Sequence, residues 1–182
     1  MKQSILFILP LFLLACGGSD TASSPDAKML ESRTRIRAME DSIFDHGAFD
    51  RRSMQSLVDV YKAYAVAFPN DSLAPEFLFR ASTTVKSMHD PEQAIMLCDR
   101  VIKTYPEWRR IVDVLYMKAL TLDDDLDQRG AAKTAYEQVI QAFPDHQFAR
   151  DSKVMIENLE YSDEELIERF KQRELEEAAA KN

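Results

Sequence analysis

Apolar residues recur every three or four positions from Met29 to the C-terminus, and no stretch alternates apolar with polar residues at period two. Because a helix places residues three and four apart on one face, this spacing predicts an all-α protein. The predicted helices cover residues 25–45, 51–67, 74–88, 91–105, 108–122, 129–143, 146–160 and 163–178.

An aromatic residue followed by proline ends three of these helices, and the prolines are 37 and 38 residues apart. A regular period of this length is typical of repeat proteins. A small residue lets two helices approach, an aromatic residue fills the space between them, and proline stops the second helix. The pattern predicts about three stacked hairpins. The residues that carry it are Phe68, Pro69, Ala81, Ala94, Tyr105, Pro106, Ala119, Ala132, Tyr136, Phe143 and Pro144.

This order of small, aromatic and proline residues resembles that of tetratricopeptide repeats over roughly Met54 to Leu159. Ala81 and Ala119 stand where that family has glycine, and the period is longer than the usual 34 or so residues. In both respects the chain is similar to envelope lipoproteins of the BamD-like barrel-assembly group and to the Tol-Pal-associated repeat domain. The resemblance implies a right-handed stack of antiparallel helix hairpins, a tetratricopeptide-like α-solenoid.

The first and last predicted helices are expected to cap the stack. Ser24 followed by Pro25 is a helix start, and Met29, Ile36 and Ile43 follow at seven-residue spacing. This face is expected to pack on the first hairpin, and a short coiled coil with another chain is the alternative.

The C-terminal helix has its own start signal, because Ser162 and Glu165 have the spacing of a capping box. A narrow apolar stripe follows it, and beyond Leu175 the chain is expected to fray. The residues of the stripe are Leu166, Ile167 and Phe170.

The N-terminus has the form of an export signal: Lys2 precedes an apolar run, Ile5–Ala15, that is too short to span a bilayer. Cys16 follows the run directly, and Leu13-Leu14-Ala15-Cys16 resembles the lipobox of bacterial lipoproteins. The resemblance implies cleavage before Cys16 and acylation of its thiol and amine. The alternative is an ordinary signal peptide with a cysteine nearby by chance. In the lipoproteins that this stretch resembles, an aspartate after the cysteine favours the inner membrane. Gly17 stands at that position, so the resemblance implies the outer membrane.

These features predict five segments. They are a signal peptide (1–15), a lipidated flexible tether (16–26), an N-terminal helix (27–50), the repeats (51–160) and a C-terminal capping helix with a frayed tail (161–182).

Charge and candidate chemistry argue against several functions. The net charge is −8 with acidic and basic residues interspersed, which does not suit nucleic acid because binding phosphates needs a basic face. With Cys16 acylated, Cys98 has no partner for a disulfide, and its register predicts that it is buried.

No constellation typical of a catalytic or metal site is present. The three histidines lack ligand spacing, and no phosphate loop, nucleophile elbow or HExxH motif occurs. Asp123, Asp125 and Asp127 alternate as in a calcium loop, but Gln128 and Thr134 replace its glycine and glutamate, so a solvated turn that caps the next helix is favoured. We expect no enzyme, no cofactor and no metal.

Two groups of residues are candidates for binding a partner. Trp108, Arg109 and Arg110 form an aromatic–cation trio that could be a hot spot, or a staple that packs the turn on the next helix. In tetratricopeptide domains the first helix of each hairpin lines the concave surface, and this resemblance suggests Arg80, Lys118 and Lys153.

The hypothesis that follows is a lipid-anchored, protein-binding scaffold at the periplasmic face of the outer membrane, either a monomer or a member of a hetero-complex. The resemblance suggests a role in outer-membrane protein assembly or envelope integrity. An accessory lipoprotein or enzyme of peptidoglycan or glycan turnover is the alternative, and self-association through the first helix is a third possibility.

Overall fold

The computed structural model describes residues 24–45 and 50–180, and within them it contains eight α-helices and no strand. Two of the α-helices run on into a wider π-helical turn, at Asp41–Asp45 after α1 and at Thr121–Asp125 after α5. This architecture confirms the all-α prediction. The helices are α1 (Pro25–Glu40), α2 (Arg51–Ala67), α3 (Ala74–Ser87), α4 (Pro91–Thr104), α5 (Ile111–Leu120), α6 (Arg129–Ala142), α7 (Gln147–Asn158) and α8 (Asp163–Ala180).

The helices stack in the order of the chain. Helix α2 packs between α1 and α3, α4 between α3 and α5, and α6 between α5 and α7. Each even-numbered helix up to α6 therefore contacts two helices: the other helix of its own hairpin and the first helix of the next hairpin. This is the arrangement of a tetratricopeptide-like repeat.

The recurring residues lie where the repeat pattern needs them. Ala81, Ala94, Ala119 and Ala132 are all fully buried, so neighbouring helices approach closely at each of them. In each of the three repeats the aromatic residue is the C-cap of its helix, half-buried against the core, and the proline after it is exposed.

The N-terminal helix packs on the stack through its predicted face. Ile36 and Ile43 are 1% and 3% exposed, and Met29 and Met39 pack against the same core. Since this apolar face is buried within the chain, it is not available for a coiled coil with another chain. The Ser24 side chain accepts a hydrogen bond from the Ala27 N–H and caps the helix.

Three predictions from the pattern are wrong in detail. Helix α5 starts at Ile111 rather than 108, because consecutive turns run from Tyr105 through Trp108 to its start. The aspartates in the turn before α6 do not cap that helix. The N-cap of α6 is Gln128, whose side chain makes no capping hydrogen bond. Helix α8 does not fray after Leu175 but continues to Ala180, because the last residues are strong helix formers.

The π-helical turn after α5 is closed by an unusual backbone conformation. Asp127 has a φ of 48°, a left-handed conformation that aspartate tolerates better than most residues. It turns the chain from α5 into α6.

Helix α8 keeps the predicted capping box but contacts the stack little. The Ser162 side chain accepts from the Glu165 N–H and Glu165 accepts from the Ser162 N–H, while close helix packing ends at α7. Most of the α8 surface is exposed. None of the helices in the described ranges is long and apolar enough to cross a membrane.

Candidate partner-binding surface

A cleft of about 420 Å³ lies between α1 and α3 and is here called the α1/α3 cleft. A smaller hollow of about 240 Å³ continues it past Glu40 and Arg80, which line both. Apolar side chains, three arginines and two glutamates line the cleft, so it can contact both apolar and charged groups of a bound segment. Its lining residues are Leu30, Arg33, Thr34, Ile36, Arg37, Glu40, Leu73, Glu76, Phe77 and Arg80.

A chain of ion pairs crosses this surface from α1 to α5. Arg80 Nη1 lies 2.7 Å from Glu40 Oε1, and Arg80 Nε lies 3.0 Å from Glu76 Oε1. Arg110 Nη1 lies 3.0 Å from Glu76 Oε2, and Arg110 also faces Asp113 at 3.6 Å. Glu76 therefore binds two arginines from different helices, and the chain fixes α1, α3 and α5 relative to one another.

The Glu76 carboxylate is held ionised by this arrangement. Burial alone would raise its pKa, but hydrogen bonds from Arg80 and Arg110 outweigh that effect and lower the pKa below its ordinary value. Glu76 therefore stays charged at neutral pH and screens both guanidinium groups.

Arg33 is anchored in the same cleft. Its Nε donates to the Tyr64 hydroxyl at 2.7 Å, and its guanidinium pairs with Asp71. Arg37, one turn further along α1, is exposed, and the structure shows no hydrogen bond or ion pair from its side chain to the described residues. Arg37 is therefore the cation best able to bind an incoming carboxylate.

The predicted aromatic–cation trio packs partly on the stack. Trp108 is half-buried, and its ring contacts that of Phe79 edge-on at 5.9 Å. The Arg110 guanidinium lies 4.9 Å from the centre of the Phe79 ring and 5.7 Å from that of Trp108. Trp108 thus packs as a staple does, but onto the earlier helix α3 rather than onto the next helix, whereas Arg109 is exposed.

Two further predicted cations lie apart from this group. Lys118 Nζ lies 2.6 Å from Asp99 Oδ1 and joins α5 to α4. Lys153 is exposed on α7. Of the six predicted partner-binding residues, the structure brings together Arg80, Arg110 and Trp108.

Sequence reasoning missed Arg33, Arg37, Glu40 and Glu76. A signal for them existed, because Glu76 and Arg80 have the i, i+4 spacing of a helical ion pair and Arg33 and Arg37 share a face of α1. The ion pairs that join different helices, Glu40–Arg80 and Glu76–Arg110, had no such signal in the sequence.

A second cleft, of about 450 Å³, is lined by acidic residues at the α5–α6 turn, including Asp123, Asp124 and Asp127. Burial raises the pKa of Asp123, although its carboxylate accepts a hydrogen bond from the Tyr136 hydroxyl at 3.1 Å. Asp127 lies 3.2 Å from Arg129. Within the part of the chain that the structure describes, no three acidic, histidine or cysteine side chains are grouped to hold a metal ion.

The Cys98 thiol is 1% exposed, as the register predicts. Burial raises its pKa to about 11, so little reactive thiolate exists near neutral pH. Cys16, the predicted lipidation site, lies outside the described residues.

Comparison with known proteins gives one finding. The family model YfiO, described as an outer membrane lipoprotein, matches residues 46–176, which include α2 to α7 and most of α8. No curated protein matches the chain.

Proposed function

The chain belongs to the YfiO family of outer membrane lipoproteins, and from this premise we propose that it is a lipid-anchored scaffold that holds an envelope protein in the α1/α3 cleft. The family places the protein at the outer membrane. Acyl chains on Cys16 would attach it to the periplasmic face, where the stack serves outer-membrane protein assembly or envelope integrity.

The observation that supports a binding role is the α1/α3 cleft itself. Leu30 in its lining is 65% exposed, so an apolar side chain of a partner has surface to cover there. Arg37 adds a positive charge that is not neutralised within the described chain. A partner segment with apolar residues and a carboxylate fits both features.

The rest of the surface supports binding rather than chemistry. Glu40 and Glu76 are each engaged by arginine, and Asp123 by Tyr136. These carboxylates serve to order helices and turns, which gives the cleft fixed walls.

Site-specific photo-crosslinking in intact cells tests this function. A photo-reactive residue placed at Leu30 is expected to capture one envelope protein, whereas the same residue at Met96, on α4 and 63% exposed, is not. Arg37→Glu should reduce the Leu30 adduct several-fold by opposing the partner's carboxylate. The function is wrong for this cleft if Leu30 yields no adduct, or the same adducts as Met96, from protein located in the outer membrane.

A further inference from the structure

The last hairpin of the stack is open. Helix α8 does not pack along α7 as α4 packs along α3 and α6 along α5. Ile167 and Phe170 in its apolar stripe are 55% and 47% exposed. An 18-residue helix, about 27 Å long, therefore presents its apolar side to solvent.

The outward side of α7 is uncovered as well. Val154 is 51% exposed and lies on the side of the helix opposite Ala149 and Ser152, which are fully buried against the stack. One turn before Val154 on the same side is Arg150, which is also exposed. Among the described residues, its guanidinium donates one long hydrogen bond, of 3.4 Å, to the Asp145 carbonyl. This is the side that the second helix of a closed hairpin would cover.

The two uncovered sides carry charges of opposite sign. On α8, Glu174 lies one turn beyond Phe170 on the same side. Two helices that pack antiparallel run in opposite directions, so one turn forward along α8 corresponds to one turn back along α7. If Phe170 lies against Val154, Glu174 therefore lies beside Arg150. The same register covers Phe170 and Val154 and pairs opposite charges.

The connection between α7 and α8 holds α8 away from its own α7. Arg129 Nη1 donates to the carbonyl oxygens of Leu159 at 3.3 Å and Tyr161 at 3.2 Å. The Arg169 guanidinium lies 4.0 Å from the centre of the Tyr161 ring. With the capping box at Ser162, these contacts fix the direction in which α8 leaves the stack.

We propose that the α8 of a second copy of this chain covers α7, and that the exchange is reciprocal. Each chain offers one α8 and one α7 side, so two copies satisfy both and the assembly closes as a two-fold dimer. This inference uses a different surface from the α1/α3 cleft and does not rest on the function proposed for that cleft.

Disulfide trapping between differently tagged full-length chains tests the exchange. Cells carry one copy with Val154→Cys and another with Phe170→Cys, and their envelopes are treated with a mild oxidant. Both positions are exposed, so the substitutions should not disturb folding. A disulfide-linked dimer that carries both tags is expected. The control pairs Phe170→Cys with Val66→Cys, which is 66% exposed on α2 and should give none.

Charge reversal tests the register. Arg150→Glu or Glu174→Arg alone should lower the yield of the trapped dimer, by about fivefold for an exposed pair, and the two changes in the same chain should restore it. No mixed-tag dimer, or equal yield from the Val66 control, would overturn the proposal. A disulfide within one chain that carries both Val154→Cys and Phe170→Cys would also overturn the proposal, because α8 would then fold on its own α7.

Discussion

At the scale of single residues, Glu76 has the most consequences for the candidate surface. Its side chain is 16% exposed and receives hydrogen bonds from Arg80 and Arg110, which come from α3 and from the start of α5. Removing its charge leaves two guanidinium groups close together without the carboxylate between them.

Glu76→Gln is therefore expected to lower the free energy of unfolding by about 1 kcal/mol at pH 7, a value reduced for partial exposure. The folded-state pKa of Glu76 lies below the unfolded one, so the ionised group stabilises the fold above the unfolded pKa. This contribution is lost as the pH falls through the folded-state pKa. Urea unfolding at pH 7 and at pH 3 should show the difference between variant and parent shrinking at the lower pH.

Glu137→Gln, at an exposed position on α6, is the matched control and should change stability little at either pH. A loss for Glu76→Gln that is the same at both pH values would show that the carboxylate's charge is not what matters.

How far these residues could be predicted from the sequence depends on the range of their contacts. Arg80 was predicted as a groove cation from its register, and the structure places it in the cleft lining. Its pairing with Glu40 spans 40 residues, and no local pattern carries a contact that only the stacking of helices creates. Arg110 was predicted as part of the trio with Trp108. Its hydrogen bond to Glu76 is also a contact between helices, so the sequence could not predict it.

At the scale of helices, the buried alanines decide how closely the hairpins pack. Ala119, near the end of α5, is fully buried in the cluster that contains Ala132 and Tyr136. No space for extra methyl groups is expected at such a position, since protein interiors are close-packed.

Ala119→Leu should lower the free energy of unfolding by about 1–3 kcal/mol through overpacking. Ala131→Leu is the matched control, because Ala131 is exposed on α6 and leucine is also a good helix former. Thermal unfolding followed by circular dichroism measures both. Equal melting temperatures for the two variants would contradict the packing role assigned to Ala119.

The helices were predictable because apolar spacing and the aromatic–proline ends are local signals. The π-helical turns at Asp41–Asp45 and Thr121–Asp125 were not, since one wider turn hardly changes the apolar period. Helix α8 was predicted as a cap from its stripe, but a stripe shows only that an apolar side exists. What covers that side depends on the direction of the turn before it.

At the scale of the whole molecule, the lipid anchor proposed at Cys16 and the helical stack can be tested separately. The buried apolar residues of the described stack lie between Ile36 and Ala149, and Cys16 lies outside the described residues. Loss of the anchor should therefore change where the protein resides without unfolding it.

Cys16→Ala is expected to abolish incorporation of labelled palmitate and to move the protein out of the outer-membrane fraction, because acyl chains supply the membrane affinity. Cys98→Ala, the control, should keep both the label and the location. Fractionation of cell envelopes after a salt wash measures the change. Full retention of Cys16→Ala in the membrane fraction would mean that another contact holds the protein there.

The burial of Cys98 bears on what happens once the fold is lost. Unfolding returns the thiol from a pKa of about 11 to its usual range near 9, so the thiolate fraction rises by about a hundredfold. In an oxidising compartment, unfolded chains can then form disulfides between molecules through Cys98. Such disulfides would make heat inactivation in air harder to reverse, so the packing of a single side chain helps to keep unfolding reversible.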